Sequence, residues 1–203
     1  LSKHAAILSM TDLQFGFRPG HSTTQCTFAL QEIADHYVRG GSSTLITLLD
    51  ASKAFDRVNY AKLFRLLLKR KLCPLTAKLL LVMYTTQTMA VRWGGTKSDS
   101  FSCSNGVKQG AVLSPVLFCV YMEELLKKLE ASGIGCYIGH RYAGALCYAD
   151  DVALIAPSLH AMKCMLRTCE EFATSYQVRF NSSKSVSMVL GHVLCAPVTL
   201  HGD

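Results

Sequence analysis

Apolar positions along the chain change period several times, and each change marks an element. Ser22-Thr23-Thr24-Gln25 has the spacing of a capping box, and the helical pattern it opens runs to about Val38, where Gly40-Gly41 stops it. Leu45-Ile46-Thr47-Leu48-Leu49 reads as a buried strand that delivers Asp50 at its end. Helical patterns return from Tyr60 to Arg70 and from Leu75 to Thr85. Met89–Trp93 reads as a strand, with Gly94-Gly95 as the hairpin turn into the next. Ser114-Pro115 fits an N-cap followed by proline at the first helical position. The helix it starts carries Leu117, Tyr121, Leu125 and Leu129 on one face, and the pairs Glu123–Lys127 and Glu124–Lys128 on its solvent face. Ala143–Tyr148 and Val152–Ala156 are short strands about a turn at Asp150-Asp151, and Pro157 ends the second. Leu159, Met162, Leu166, Cys169, Ala173 and Tyr176 recur at helical spacing. Gln177–Phe180, Ser185–Leu190 and Val193–Leu200 complete the chain as strands.

Strands and helices interleave, but the hairpins argue against a purely parallel sheet. The pattern predicts an α+β fold: a small antiparallel sheet with helices packed on one face, of the split βαβ kind. The 203 residues suffice for one domain, and a composition that is 50% hydrophobic and 17% charged packs a core rather than staying disordered. A formal charge of +7 favours a polyanionic partner, nucleic acid or an acidic membrane surface, although a merely basic protein carries the same charge. No apolar stretch approaches the roughly 18 residues of a membrane span. The start, Leu1-Ser2-Lys3-His4, has neither an initiator Met nor a signal-peptide apolar core, as in a piece of a longer protein. The nine cysteines include no CxxC pair and sit mostly in apolar stretches, so they read as small hydrophobes in a reducing compartment.

The chemistry enters with Tyr148-Ala149-Asp150-Asp151. Adjacent carboxylates beside apolar half-strands repel one another unless a cation neutralises them, though a solvated Asp-rich turn has the same sequence. Asp50 also ends an apolar strand, in Leu48-Leu49-Asp50-Ala51-Ser52-Lys53-Ala54-Phe55-Asp56, where a lone carboxylate would be a turn cap. Together the three acids suffice for a pair of Mg²⁺ ions about 3.5–4 Å apart, because Mg²⁺ takes few carboxylates and many substrate oxygens. In Asn105–Pro115 the glycines Gly106 and Gly110 permit close backbone approach and Gln109 offers an amide; a plain connector reads the same way. Asn181-Ser182-Ser183-Lys184-Ser185 is a polar turn with one lysine.

These segments occur in a telling order. DASKAFD, NGVKQGAVLSP, YADD and the NSSKS turn resemble motifs A, B, C and D of reverse transcriptases. Upstream, Phe15-Gly16-Phe17-Arg18-Pro19-Gly20-His21-Ser22-Thr23 is similar to the FGFRPGxS block of non-LTR (LINE-type) retrotransposon and group II intron enzymes. The match covers roughly residues 14–190 and leaves residues 191–203 as an unassigned tail.

The resemblance implies a polymerase palm, with fingers, thumb and any endonuclease largely outside these residues. It implies Asp50 and Asp150 as the principal metal ligands, Asp151 as the third carboxylate, and two Mg²⁺ ions, with Mn²⁺ as an alternative. Ala51 would contribute its backbone carbonyl, Phe55 would abut the sugar and exclude a ribose 2′-hydroxyl, and Gln109 and Gly110 would contact nucleotide and template. Lys184 matches the lysine that protonates the departing pyrophosphate. The implied partners are an RNA template, a DNA primer and dNTPs, not a membrane, in the nucleus or cytoplasm; no oligomeric state is indicated. Two rivals are an RNA-dependent RNA polymerase palm, which Phe55 disfavours, and a folded relic without activity. Lys62, Arg65, Lys69, Arg70 and Lys71 fit a phosphate track or a solvated helix face equally well.

Overall fold

A computed structural model of the chain describes residues 10–191, so the strand expected over Val193–Leu200 lies outside the described residues. Ser22 opens helix α1 (Thr23–Arg39) through the expected capping box: its Oγ accepts from Gln25 N at 3.2 Å while its own N–H donates to Gln25 Oε1 at 3.0 Å. Strand β1 (Thr44–Leu49) follows, then a 3₁₀ turn at Phe55–Arg57, helix α2 (Tyr60–Lys69) and helix α3 (Pro74–Thr85). An exposed excursion holds four two-residue strands, β2 (Thr88–Met89), β3 (Arg92–Trp93), β4 (Thr96–Lys97) and β5 (Phe101–Ser102). Helix α4 (Ser114–Ser132) leads to the small hairpin β6 (Tyr137–Ile138) and β7 (Arg141–Tyr142). Strands β8 (Ala145–Tyr148) and β9 (Asp151–Ala156), helix α5 (Leu159–Tyr176) and strand β10 (Val186–Leu190) complete the described chain.

The central sheet has the order β10-β1-β9-β8, and every pairing in it is antiparallel. Alternation along the strands decides what each face meets. Leu45 and Leu49 of β1, with Leu154 of β9, join the main core under α4 and α5, whereas Ile46, Leu146 and Ile155 turn the other way. The α+β expectation stands with one correction: the second face is not bare, because Ile33 and Ala34 of α1 pack on it. Helix α4 lies against α2, α5 and β8 at once, and Phe118, Tyr121, Met122, Leu125 and Leu129 are fully buried along it.

Four local expectations change. Ser114 is the first residue of α4 and is fully buried, with Leu113 in the cap position, so Pro115 follows it within the first turn. Glu123 does not face solvent: it is 2% exposed, and its carboxylate meets Arg70 at 2.7 Å and Lys127 at 3.3 Å. Met89–Trp93 is two strands rather than one, since β2 pairs with β5 while β3 turns through Gly94-Gly95 onto β4. Over Gln177–Phe180 only Phe180 pairs, as an isolated bridge to Ala51; Gln177 instead ends α5 in a left-handed conformation.

Candidate active site

Two sequence-distant segments bring the acids together. Leu49 of β1 pairs with Val152 of β9, so Asp50 and Asp151 stand on the next rung at the same end of the sheet. Tyr148 pairs with Asp151, which leaves Ala149 and Asp150 as a two-residue turn at that end. Asp50, Tyr148, Asp151 and Lys184 line one cavity of about 460 Å³, whose apolar wall includes Leu30 of α1 and Leu146 of β8. Burial raises the Asp150 carboxyl above the ordinary carboxylate value, its own backbone N–H pulls the other way, and the Asp50 charge adds to the rise. Asp151 is raised by burial first, then by the charges of Asp150 and Asp50. Both carboxyls of the turn therefore feel the Asp50 charge, and repulsion of this kind is what a cation relieves.

The segment after α5 braces Asp50 from its other side. Asp50 N donates to Ser185 Oγ at 3.3 Å, Asn181 N donates to Asp50 O at 2.8 Å, and Ser52 N donates to Arg179 O at 2.8 Å. These bonds flank Ala51 without using it, so its own N–H and C=O point to the opposite edge, where β9 begins at Asp151. Asn181 accepts from Ser185 Oγ through its carbonyl and from Ser183 N and Oγ through its side chain, which shapes the turn carrying Lys184.

Phe55 sits beyond Asp50 on the 3₁₀ turn, half-buried. Its ring stacks on Phe118, with centroids 4.5 Å apart and planes 13° apart, and meets the edge of Phe17 at 6.3 Å. The 105–113 loop docks on the same turn: Val107 N donates to Phe55 O at 2.8 Å, and Gly106 N donates to Val58 O at 2.9 Å. Gly106 makes a close approach, but to protein. A Cβ there would lie 2.9 Å from the Asp56 backbone. Gln109 and Gly110 are exposed; Gln109 borders a separate cavity of about 550 Å³ with Asp56, Gln87 and Lys108. The carboxylate cavity and the Gln109 cavity are thus distinct spaces.

Sequence reasoning passed over Gln14, which is fully buried and hydrogen-bonded to the Ala149 turn. A polar residue just ahead of the FGFRPG block carries no signal of its own; only the fold brings it to β8. Arg18 proves structural, donating to Thr11 O at 2.8 Å and Gln14 O at 3.3 Å. Arg70 leaves the phosphate track for its ion pair with Glu123, and Lys62 lies 5.0 Å over the Tyr176 ring.

The donors here are hard carboxylate oxygens, a set suited to Mg²⁺ or Mn²⁺ and not to soft metals. Among the described residues no group of three His, Cys, Asp or Glu side chains is drawn around one point. A cation at this end would take one or two of these carboxylates and fill its sphere with backbone, water or substrate oxygens, as Mg²⁺ commonly does.

Comparison with known proteins gives the fold a family. Residues 1–195 match the family described as reverse transcriptase (RNA-dependent DNA polymerase). The chain is 28% identical over 171 residues to the Pol polyprotein of the retrotransposable element R2DM of Drosophila melanogaster, covering 84% of this chain and 16% of that protein. It is 32% identical over 145 residues to the R2 Pol polyprotein of Popillia japonica, covering 70% and 20%, and 25% identical to the RNA-directed DNA polymerase from mobile element jockey of Drosophila funebris, covering 100% and 22%. The chain thus spans about a fifth of the length of these relatives. Among solved structures, telomerase from Candida tropicalis superposes with a TM-score of 0.66 at 14% identity, over 87% of this chain and 30% of that one, a likeness of fold. No helix among the described residues is long and apolar enough to cross a membrane. The chain belongs to the reverse transcriptase family, among the domains of non-LTR retrotransposon polyproteins.

Proposed function

We propose that this chain supplies the palm of an enzyme that copies an RNA template into DNA, joining a dNTP to the 3′-hydroxyl of a DNA primer. The observation that carries the reading is the meeting of Asp50 with the Asp150-Asp151 turn at one end of adjacent antiparallel strands, where Asp50 and Asp151 line a cavity with Lys184 and Asp150 stands at the turn beside it. In this reading Asp50 and Asp150 are the principal ligands of two Mg²⁺ ions, Asp151 is the third carboxylate, and Ala51 contributes its backbone carbonyl. When bound, the ions stabilise the attacking and leaving oxygens of an in-line displacement at the α-phosphate. The primer 3′-hydroxyl gives its proton to water as its oxygen bonds to phosphorus and the bond to the pyrophosphate oxygen breaks.

The protein's own contribution is positioning and charge. Lys184 gives a proton to the departing pyrophosphate. Phe55 closes the space where a ribose 2′-hydroxyl would sit, and Gln109 and Gly110 meet the nucleotide and template from the far side of the 3₁₀ turn. Template and primer make this an activity of the nucleus or cytoplasm.

Primer extension with dNTPs and Mg²⁺ tests the reading. Asp150→Asn is expected to abolish extension while template–primer affinity, measured by titration, stays close to that of the parent. Loss of affinity in step with extension would make Asp150 a folding residue, and an active Asp150→Asn would remove the metal role.

A further inference from the structure

The stretch Leu13–Gly16 runs along the outer edge of β8. Phe15 N donates to Cys147 O and Cys147 N donates to Leu13 O, both at 2.8 Å, so Gln14 faces Cys147 as a single parallel rung. The Gln14 side chain is fully buried and every arm of its amide is engaged. Its Oε1 accepts from Gly16 N at 2.8 Å and from Ala149 N at 3.0 Å. Its Nε2 reaches Ala149 O at 3.4 Å and Cys147 Sγ at 3.3 Å. Both polar groups of the Ala149 backbone therefore meet one glutamine.

Ala149 needs that support. It has φ +60°, a left-handed conformation that a residue with a Cβ resists. Such a conformation persists only where the surroundings over-determine it. Gly16 adds the second constraint, because a Cβ there would lie 2.3 Å from Ala149 N; the two backbones touch. Ala149 and Asp150 are the whole of the turn, so the conformation of the first fixes the direction of the second.

We propose that Gln14 is a positioning residue: gripping the Ala149 peptide from the edge of β8, it sets where the Asp150 carboxylate points. The inference rests on the reading of Asp150 as a catalytic acid. It assigns the segment ahead of the FGFRPG block a part in catalysis without contact with substrate.

The test is Gln14→Met, near in volume but without the amide, in the full reading frame that carries this chain. The kcat for dNTP incorporation is expected to fall about 10- to 100-fold, the cost of a small misplacement of a reacting group. KM for dNTP and template–primer affinity are expected to stay within about threefold, since nothing that touches either has changed. The Mg²⁺ concentration for half-maximal rate is expected to rise. In the metal-free protein, hydrogen exchange is expected to accelerate across the β8–β9 turn and not in α4 or α5.

A folded Gln14→Met with parental kcat and parental exchange at the turn overturns the proposal. So does a loss of kcat accompanied by equal loss of affinity and of protection throughout, which marks an ordinary core residue. Should Gln14→Met not fold, Gly16→Ala decides: its new Cβ pushes Ala149 with Gln14 in place, the same split of kcat from KM is expected, and a parental kcat overturns the idea. Asp150→Asn in parallel separates the two readings. If it is active, the role of Asp150 falls; if it is dead while Gln14→Met is normal, only this inference falls.

Discussion

At the scale of the residue, Phe55 shows what spacing gives and what it withholds. The match of DASKAFD to motif A proposes it as the sugar gate, and its place on the turn beyond β1 was readable from the same segment. What holds the ring was not: Phe118 lies on α4 and Phe17 in the segment before α1, and only the fold stacks them about Phe55. Phe118 is fully buried, so the ring above it has a fixed seat. Phe55→Val is expected to raise kcat/KM for ribonucleotides far more than it lowers kcat/KM for dNTPs, because it opens space without touching a carboxylate. The ratio of the two constants in single-nucleotide incorporation is the measurement, and an unchanged ratio takes the gate away from Phe55. Gln14 was illegible for the same reason as the aromatic stack. Its partners are Ala149 and Cys147, and no local pattern foretells a contact so remote in sequence.

At the scale of the element, hydrophobic period and capping chemistry gave nearly every helix and the sheet strands that carry acids. The errors arose where a tertiary partner overrode a local rule. Glu123 and Lys127 have the spacing of an exposed helical pair, yet Arg70 at the end of α2 reaches Glu123 and draws it under cover. Breaking that cluster exposes the difference. Arg70→Met leaves a carboxylate that is 3% exposed with, among the described residues, Lys127 as its remaining ion partner, and is expected to cost about 2–4 kcal/mol. Replacing both, as Arg70→Met with Glu123→Leu, is expected to recover most of that loss, since no charge remains buried. Urea unfolding of the single and double variants checks both; a single variant within about 0.5 kcal/mol of the parent would mean that water compensates Glu123 after all. The segment after α5 differs in the opposite direction: Gln177–Phe180 reads as a strand, but helix termination at Gln177 leaves one bridge, at Phe180.

At the scale of the molecule, the charge of +7 and the small share of the relatives' length that the chain spans lead to one expectation. These 203 residues alone should hold template–primer weakly, with affinity falling steeply and linearly in log–log form as salt rises, because phosphate contacts dominate such binding. Affinity measured from low to physiological salt checks it, and tight, salt-indifferent binding would contradict it. Helix α3 points the same way: Leu75, Leu79 and Met83 stay more than half exposed, an apolar strip awkward for an isolated domain. The register of β1 against β9 has a different kind of consequence, for inheritance rather than chemistry. Because side chains alternate along a strand, one codon gained or lost within Thr44–Leu49 or Asp151–Ala156 sends the core residues to the wrong face and turns an acid away from its neighbours. The same accident between Thr88 and Ser102 lengthens or shortens an exposed excursion and leaves both intact. Among the copies an element scatters through a genome, small in-frame gaps are thus survivable in one stretch and ruinous in another, and the sheet keeps that ledger.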